Sequence, residues 1–188
     1  MDIRNIFFKY RSYTPIPIAL TIIYNSKAAF PFNILGILLI AIGEIIRINA
    51  VRFAGKSTRT KNVGAPYLCT SGPYSHTRNP IYAGNVIIYV GITFFGGGEW
   101  MWYLVATVII FFIFQYHLII SLEQEKLKIK FGKRYKSYIN NVPKLIPNVK
   151  SWNDGNRIMP RNFLNTFKIE IPTLQSIISM FILILFRP

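Results

Sequence analysis

Apolar residues along this chain gather into four or five runs, and the blocks between them are polar and basic. The first run covers residues 14–24. The turn Asn25-Ser26-Lys27, with Pro31, separates it from a second over 32–50. A third covers 80–95 and a fourth 100–122, joined by Gly96-Gly97-Gly98-Glu99, which reads as a tight hairpin turn. The last, 174–186, is shorter than the roughly 20 residues a helix needs to cross a bilayer core. It reads as a tilted or half-buried helix, or as a span completed by Ile169, Ile171 and Pro172. The fold expected is all-α, a polytopic membrane bundle of four to five transmembrane helices with a cytoplasmic amphipathic helix. Residues 1–188 form one domain in this reading, with 149–188 a basic segment followed by the short last helix.

Beyond the fourth run the pattern becomes a single stripe. Leu127, Phe131, Tyr135, Tyr138 and Val142 recur at spacings of four, four, three and four, which predicts an amphipathic helix. Five of the eleven residues between them are Lys or Arg, suited to the anionic inner leaflet, and Gly132 is placed to break the helix in two. Four residues back from Leu127 the stripe reaches Glu123, whereas Gln124 and Glu125 project elsewhere. A carboxylate on an apolar face is costly unless it is paired or used. Lys126 and Lys128 lie on other faces, so the partner expected is a cation from the loop before residue 80.

Composition agrees with a membrane protein. The chain of 188 residues is 52% hydrophobic, yet Lys and Arg outnumber Asp and Glu by 22 to 7, for a net charge of +15. Such charge on a soluble protein suggests nucleic acid. Here it is segregated into loops: Arg52, Lys56, Arg59, Lys61 and Arg78 in one, and eight lysines and arginines over 123–150 in another. The 96–99 turn has no cation and the 25–31 turn has one. The distribution predicts an integral membrane protein with both polar clusters facing the cytoplasm and no nucleic-acid partner. The first run, interrupted by Pro15, Pro17 and Lys27, does not read as a cleaved signal. The single Cys69 excludes an intrachain disulfide.

Within this frame a few residues carry chemistry. Arg78-Asn79-Pro80 reads as a helix start, with Asn as N-cap and Pro in the first turn. Its free N–H groups and Arg78 together make an anion site at the interface. Glu44 and Arg47, one turn apart in the second run, form either a self-neutralising pair or a functional intramembrane charge. Gln115, His117 and Ser121 are placed to line a polar cavity. No Gly-rich nucleotide loop, no metal-ligand spacing and no Gly-x-Ser-x-Gly elbow is present.

Gly72-Pro-Tyr-x-x-x-Arg78-Asn79-Pro80-x-Tyr82-x-Gly84, followed by Glu123-x-Glu125-x-Leu127-x-x-x-Phe131-Gly132-x-x-Tyr135-x-x-Tyr138-x-x-x-Val142-Pro143-x-x-x-Pro147, closely resembles the isoprenylcysteine carboxyl methyltransferase and phospholipid methyltransferase family. The resemblance covers about residues 35–148, and the N-terminal hairpin and the last 40 residues look like the bacterial members, which implies a bacterial inner membrane. Many members carry Arg-His-Pro where this chain has Arg78-Asn79-Pro80, and adjacent glutamates where it has Glu123 and Gln124. The resemblance implies a membrane methyltransferase using S-adenosylmethionine and a lipophilic or lipidated acceptor that enters from the bilayer. It implies cofactor contacts from His76, Asn79, Pro80, Tyr82, Glu125 and Tyr135, catalytic roles for Arg78 and Glu123, and no metal. A methionine carboxylate suits a helix N-terminus, and a sulfonium suits the faces of Tyr82 or Tyr135. The competing functions are a reductase of sterol-like lipids using NADPH, which shares a related membrane bundle, and an inactive lipid-binding scaffold.

Overall fold

The computed structural model describes residues 2–60, 62–155 and 158–187, and Lys61 of the basic loop lies outside them. Six α-helices form among the described residues: α1 (Ile3–Lys9), α2 (Ile16–Asn25), α3 (Phe32–Ala54), α4 (Pro80–Gly96), α5 (Met101–Asn141) and α6 (Phe163–Leu185). No strand occurs among the described residues. Three helices, α3, α5 and α6, are long and apolar enough to cross a membrane, and the protein is a polytopic helix bundle. Leu38, Ile45, Ile110 and Ile113 are exposed while Glu44, Arg47 and Glu170 are buried. That inversion is expected when the surrounding solvent is hydrocarbon.

The structure adds a short helix before the first expected run. That run, 14–24, forms α2, and α1 precedes it across turns between Tyr10 and Pro15. Pro15 and Pro17 cannot donate to a preceding turn, so a continuous helix is disfavoured there. Arg4 of α1 pairs with Glu125 of α5 at 2.9 Å, whereas the end of α2 meets the hairpin after α4, Lys27 N donating to Gly96 O at 2.7 Å. The two short helices therefore run the length of the bundle together.

α3 and α4 make the closest helix pairing. A methyl group added at Gly43 would stand 2.8 Å from the Gly84 carbonyl oxygen, and one at Gly91 would stand 2.8 Å from that of Gly36. Four glycines, seven residues apart on each helix, thus let two antiparallel backbones touch. Between lipid-facing helices, close backbone approach is the main source of association.

The fourth run and the amphipathic stripe form one 41-residue helix, bent where Gly132 adopts φ 49° and ψ −123°. A side chain is strained at positive φ, so the break falls on glycine. The bend turns Tyr135, Tyr138 and Val142 onto Leu68, where they form a second small core. The last helix spans Phe163–Leu185, so Ile169, Ile171 and Pro172 do complete it.

Two ends follow. The turns after α2 and α4 share one, tied by Lys27–Glu99 at 3.2 Å, and Arg187 donates to Ser26 O there at 2.7 Å. The loop 55–79 and the segment 142–161 share the other, which is the basic end.

Candidate active site

At the basic end two distant segments are laced together. Arg78 N donates to Pro143 O (2.9 Å), Asn148 N to His76 O (2.9 Å) and Trp152 N to Ser75 O (3.0 Å). Side chains add more: Thr77 Oγ1 to Leu145 O at 3.0 Å, Asn79 Nδ2 to Lys144 O at 2.9 Å, and Tyr138 OH to Tyr74 O at 2.7 Å. The His76 Nδ1 lies 2.8 Å from Asn148 O. The two parts of the sequence signature thus come together as one unit: 75–79 is fastened along 143–152.

Beneath this lacing lies a cavity of about 140 Å³. The end of α3 contributes Ala54, the loop contributes Tyr67, Leu68, Cys69, Tyr74 and Arg78, α4 contributes Ile81 and Tyr82, and α5 contributes Glu123 and Leu127. Tyr67 OH donates to the carbonyls of Phe53 (3.0 Å) and Ala54 (2.8 Å), closing the wall against the end of α3. Burial pushes the Cys69 thiol up to about 11 and the Tyr74 phenol well above its ordinary range. Both are therefore neutral near pH 7 and offer the cavity hydrogen-bonding but uncharged walls.

Arg78 and Glu123 enter the cavity from different elements but are not an ion pair, which corrects the cation expected beside Glu123. Glu123 Oε2 instead accepts from Tyr82 OH at 3.0 Å. The Tyr82 ring is stacked on Tyr116 with centroids 4.5 Å apart, an arrangement that fixes where its hydroxyl points. The cation whose field reaches Glu123 is Arg11, from the break between α1 and α2. Arg78 lies beside Tyr135, and its Nε is buried without a hydrogen-bond partner, as is the Gln124 Nε2.

Other expected site residues take different places. His76 is used in the lacing. Asn79 reaches the cavity wall, but its amide is committed to Lys144 O, so it makes no side-chain cap at the start of α4. Pro80 occupies the first turn of α4, as read, and is buried. Tyr135 packs in the small core behind Arg78. Glu125 faces away, paired with Arg4 at 2.9 Å. Gln115, His117 and Ser121 do not share a polar cavity: Gln115 is buried and accepts from Thr14 at 2.6 Å, His117 is exposed, and Ser121 donates to Leu118 O.

The sequence reading missed Arg11, Asn85 and Tyr116. Asn85 Nδ2 donates to Tyr116 OH at 2.9 Å, and Asn85 Oδ1 accepts from Arg47. A polar residue amid the apolar third run was the available signal for Asn85. Arg47 pairs with Glu170 at 2.7 Å and lies 3.6 Å from Glu44.

Apolar helices enclosing a cavity at one end, with a guanidinium and a carboxylate entering it from different elements, define an integral membrane protein with the layout of an enzyme. The residues from α3 to the bend of α5 say which kind. The sequence model of the phospholipid methyltransferase family matches residues 32–134, more than half of the chain, and the chain belongs to that family. It is a membrane methyltransferase. No curated protein and no solved structure matches it.

Proposed function

We propose that the cavity binds S-adenosylmethionine and that the protein methylates a lipophilic or prenylated acceptor (a carboxylate, amine or hydroxyl) reaching the cavity from the bilayer at the cytoplasmic face. The observation that carries this reading is the buried, unpartnered Nε of Arg78 in the same cavity as Glu123. A buried donor left open is costly unless a ligand completes it. The residues present fit the cofactor: the first turn of α4 brings Ile81 and Tyr82 to the cavity wall, where free N–H groups suit an anion, and Tyr67, Tyr74 and Tyr82 provide aromatic faces for a sulfonium and a base.

S-adenosylmethionine supplies, when bound, an electrophilic methyl carbon on a sulfonium. The chain's part in a direct displacement is alignment and exclusion of water. Arg78 holds the acceptor. Glu123, held by Tyr82, orients it and, for an amine or hydroxyl, accepts its proton. The lacing between 75–79 and 143–152 keeps these groups in register.

Thermal unfolding of the purified protein in nanodiscs tests the reading. S-adenosylhomocysteine should raise the transition and NADPH should not. Labelled methyl groups from S-adenosylmethionine should then appear in the lipid or lipidated-peptide fraction of membranes carrying the protein. A folded sample indifferent to S-adenosylhomocysteine would remove the reading, and stabilisation by NADPH alone would replace it with the reductase.

A further inference from the structure

Away from the methyl-transfer cavity, a second hollow of about 720 Å³ lies between the end of α3 and the start of α6. Four cations line it, Lys56, Arg59, Arg161 and Lys168, with Ile169 and Pro172 beneath them and no acidic side chain in the wall. We propose that this hollow is a binding site for the phosphate group of an acidic membrane phospholipid. The inference goes beyond the methyltransferase reading and does not depend on it.

Charge comes first. Arg59 has Glu170 Oε1 at 3.5 Å, but Lys56, Arg161 and Lys168 pair with no carboxylate among the described residues. Three unpaired like charges around one hollow, with Arg59 beside them, repel each other, and an anion between them relieves that repulsion. The arrangement is also held in place. Arg161 N donates to Arg52 O at 2.7 Å, and its guanidinium covers Gly55 so closely that an added methyl would meet Cζ at 2.6 Å. Arg161 is thus fixed over the α3 terminus rather than free on a loop.

Depth selects a lipid over a free phosphate. Lys56 lies two residues past α3 and Arg161 two residues before α6, so these two stand where both helices leave the apolar layer, with Lys168 in the second turn of α6. Ile169 stands beside Lys168 and Pro172 one turn further along α6. Phe163, Phe167 and Ile171 stand exposed on α6 nearby, ready to meet acyl chains. A charged rim above an apolar floor fits an amphiphile.

Native mass spectrometry of the full chain in detergent tests this with phosphatidylglycerol, phosphatidylcholine and inorganic phosphate as probes. The wild-type protein should retain one phosphatidylglycerol in strong preference to phosphatidylcholine. Lys56→Gln/Arg161→Gln/Lys168→Gln should weaken that binding roughly a hundredfold, at about fivefold per cation lost near a membrane surface. Lys128→Gln/Lys133→Gln/Lys136→Gln, of equal charge change around the bend of α5, should leave it intact. Lys56→Gln/Lys168→Gln changes only exposed side chains and should still show a roughly twentyfold loss, which covers the case of a triple variant that fails to fold. Equal losses in site and control variants would overturn the proposal in favour of diffuse attraction. Inorganic phosphate bound as tightly as the lipid would overturn the lipid as its ligand.

Discussion

Two regions of this molecule bring arginine and glutamate together, and they handle them in opposite ways. In the middle of the bundle Arg47 is hemmed in: Glu170 at 2.7 Å, Thr173 at 3.0 Å, Asn85, and Glu44 at 3.6 Å. Arg59 adds a second cation beside Glu170, so two guanidiniums face two carboxylates and the cluster is neutral. The Nε atoms of Arg47 and Arg78 are both buried without a hydrogen bond, but at the basic end Arg78 has no carboxylate paired with it, and Glu123 has a phenol for its neighbour instead of a cation. Charge balanced within the protein holds helices together. Charge left unbalanced around a cavity is available to a ligand.

That contrast is broken most directly at Arg47. Arg47→Leu strands Glu170 and Glu44 between helices, and removing one partner of a buried pair costs about 3–5 kcal/mol. The expected outcome is a large fall in the thermal transition, or no folded protein after detergent extraction. Arg78→Leu removes a charge that nothing in the chain balances, so its transition should move little while binding of S-adenosylhomocysteine or turnover falls. Equal destabilisation by both substitutions would erase the distinction.

Next comes the chemistry of the open site. Glu123→Gln keeps the shape and removes the base. For an amine or hydroxyl acceptor kcat should fall by about 10²–10⁴ with KM little changed. For a carboxylate acceptor, already ionised, Glu123→Gln should retain much of its activity. Arg78→Lys should then be the severe variant, because a planar fork is replaced by a point charge. Wild-type rates from both variants would show that the cavity is not where methyl transfer happens.

A smaller effect tests whether the two regions communicate. Asn85 touches Arg47 on one side and Tyr116 on the other, and Tyr116 carries the stacked Tyr82 that holds Glu123. Asn85→Leu leaves a buried guanidinium donor and a phenol short of a partner, at a cost of about 1–3 kcal/mol. If the chain of contacts matters, kcat should fall further than the stability loss explains at a temperature well below unfolding. Unchanged kcat in the folded fraction would make the central cluster purely architectural.

Much of this was legible before any coordinates. Hydropathy located α3, α4 and α5, and the stripe from Leu127 to Val142 foretold the bent end of α5, down to the break at Gly132. The convergence of Arg78 and Glu123 on one cavity followed from the two motifs. What stayed hidden depends on contacts across long separations. Glu170 is 123 residues from Arg47 and sits in a mixed, basic stretch whose local pattern does not mark it as buried. Arg11 precedes the first apolar run and owes its place to the break before α2. Asn79 has the composition of a cap, yet the carbonyl of Lys144 competes for its amide, a rival no local rule contains. His76 was lost to the same lacing.

The smallest effect expected is also the cleanest to measure, because the chain has one cysteine and it lies in the cavity wall. Burial raises the Cys69 thiol from 9.0 to about 11. Only the thiolate is alkylated, so a raised value means less reactive form at any pH below it. At pH 9 a thiol with the ordinary value is half ionised, whereas Cys69 is ionised to roughly one part in a hundred. Iodoacetamide modification should therefore be slow at pH 8–9 and climb toward pH 11, in contrast to the ordinary profile of the unfolded chain. Saturating S-adenosylhomocysteine should slow it further if the cavity is the cofactor site, without changing the unfolded control. An ordinary midpoint near 9 would mean that water enters this wall freely. An unshifted rate with ligand bound would move the cofactor away from Cys69 and, with it, away from the Arg78 side of the cavity.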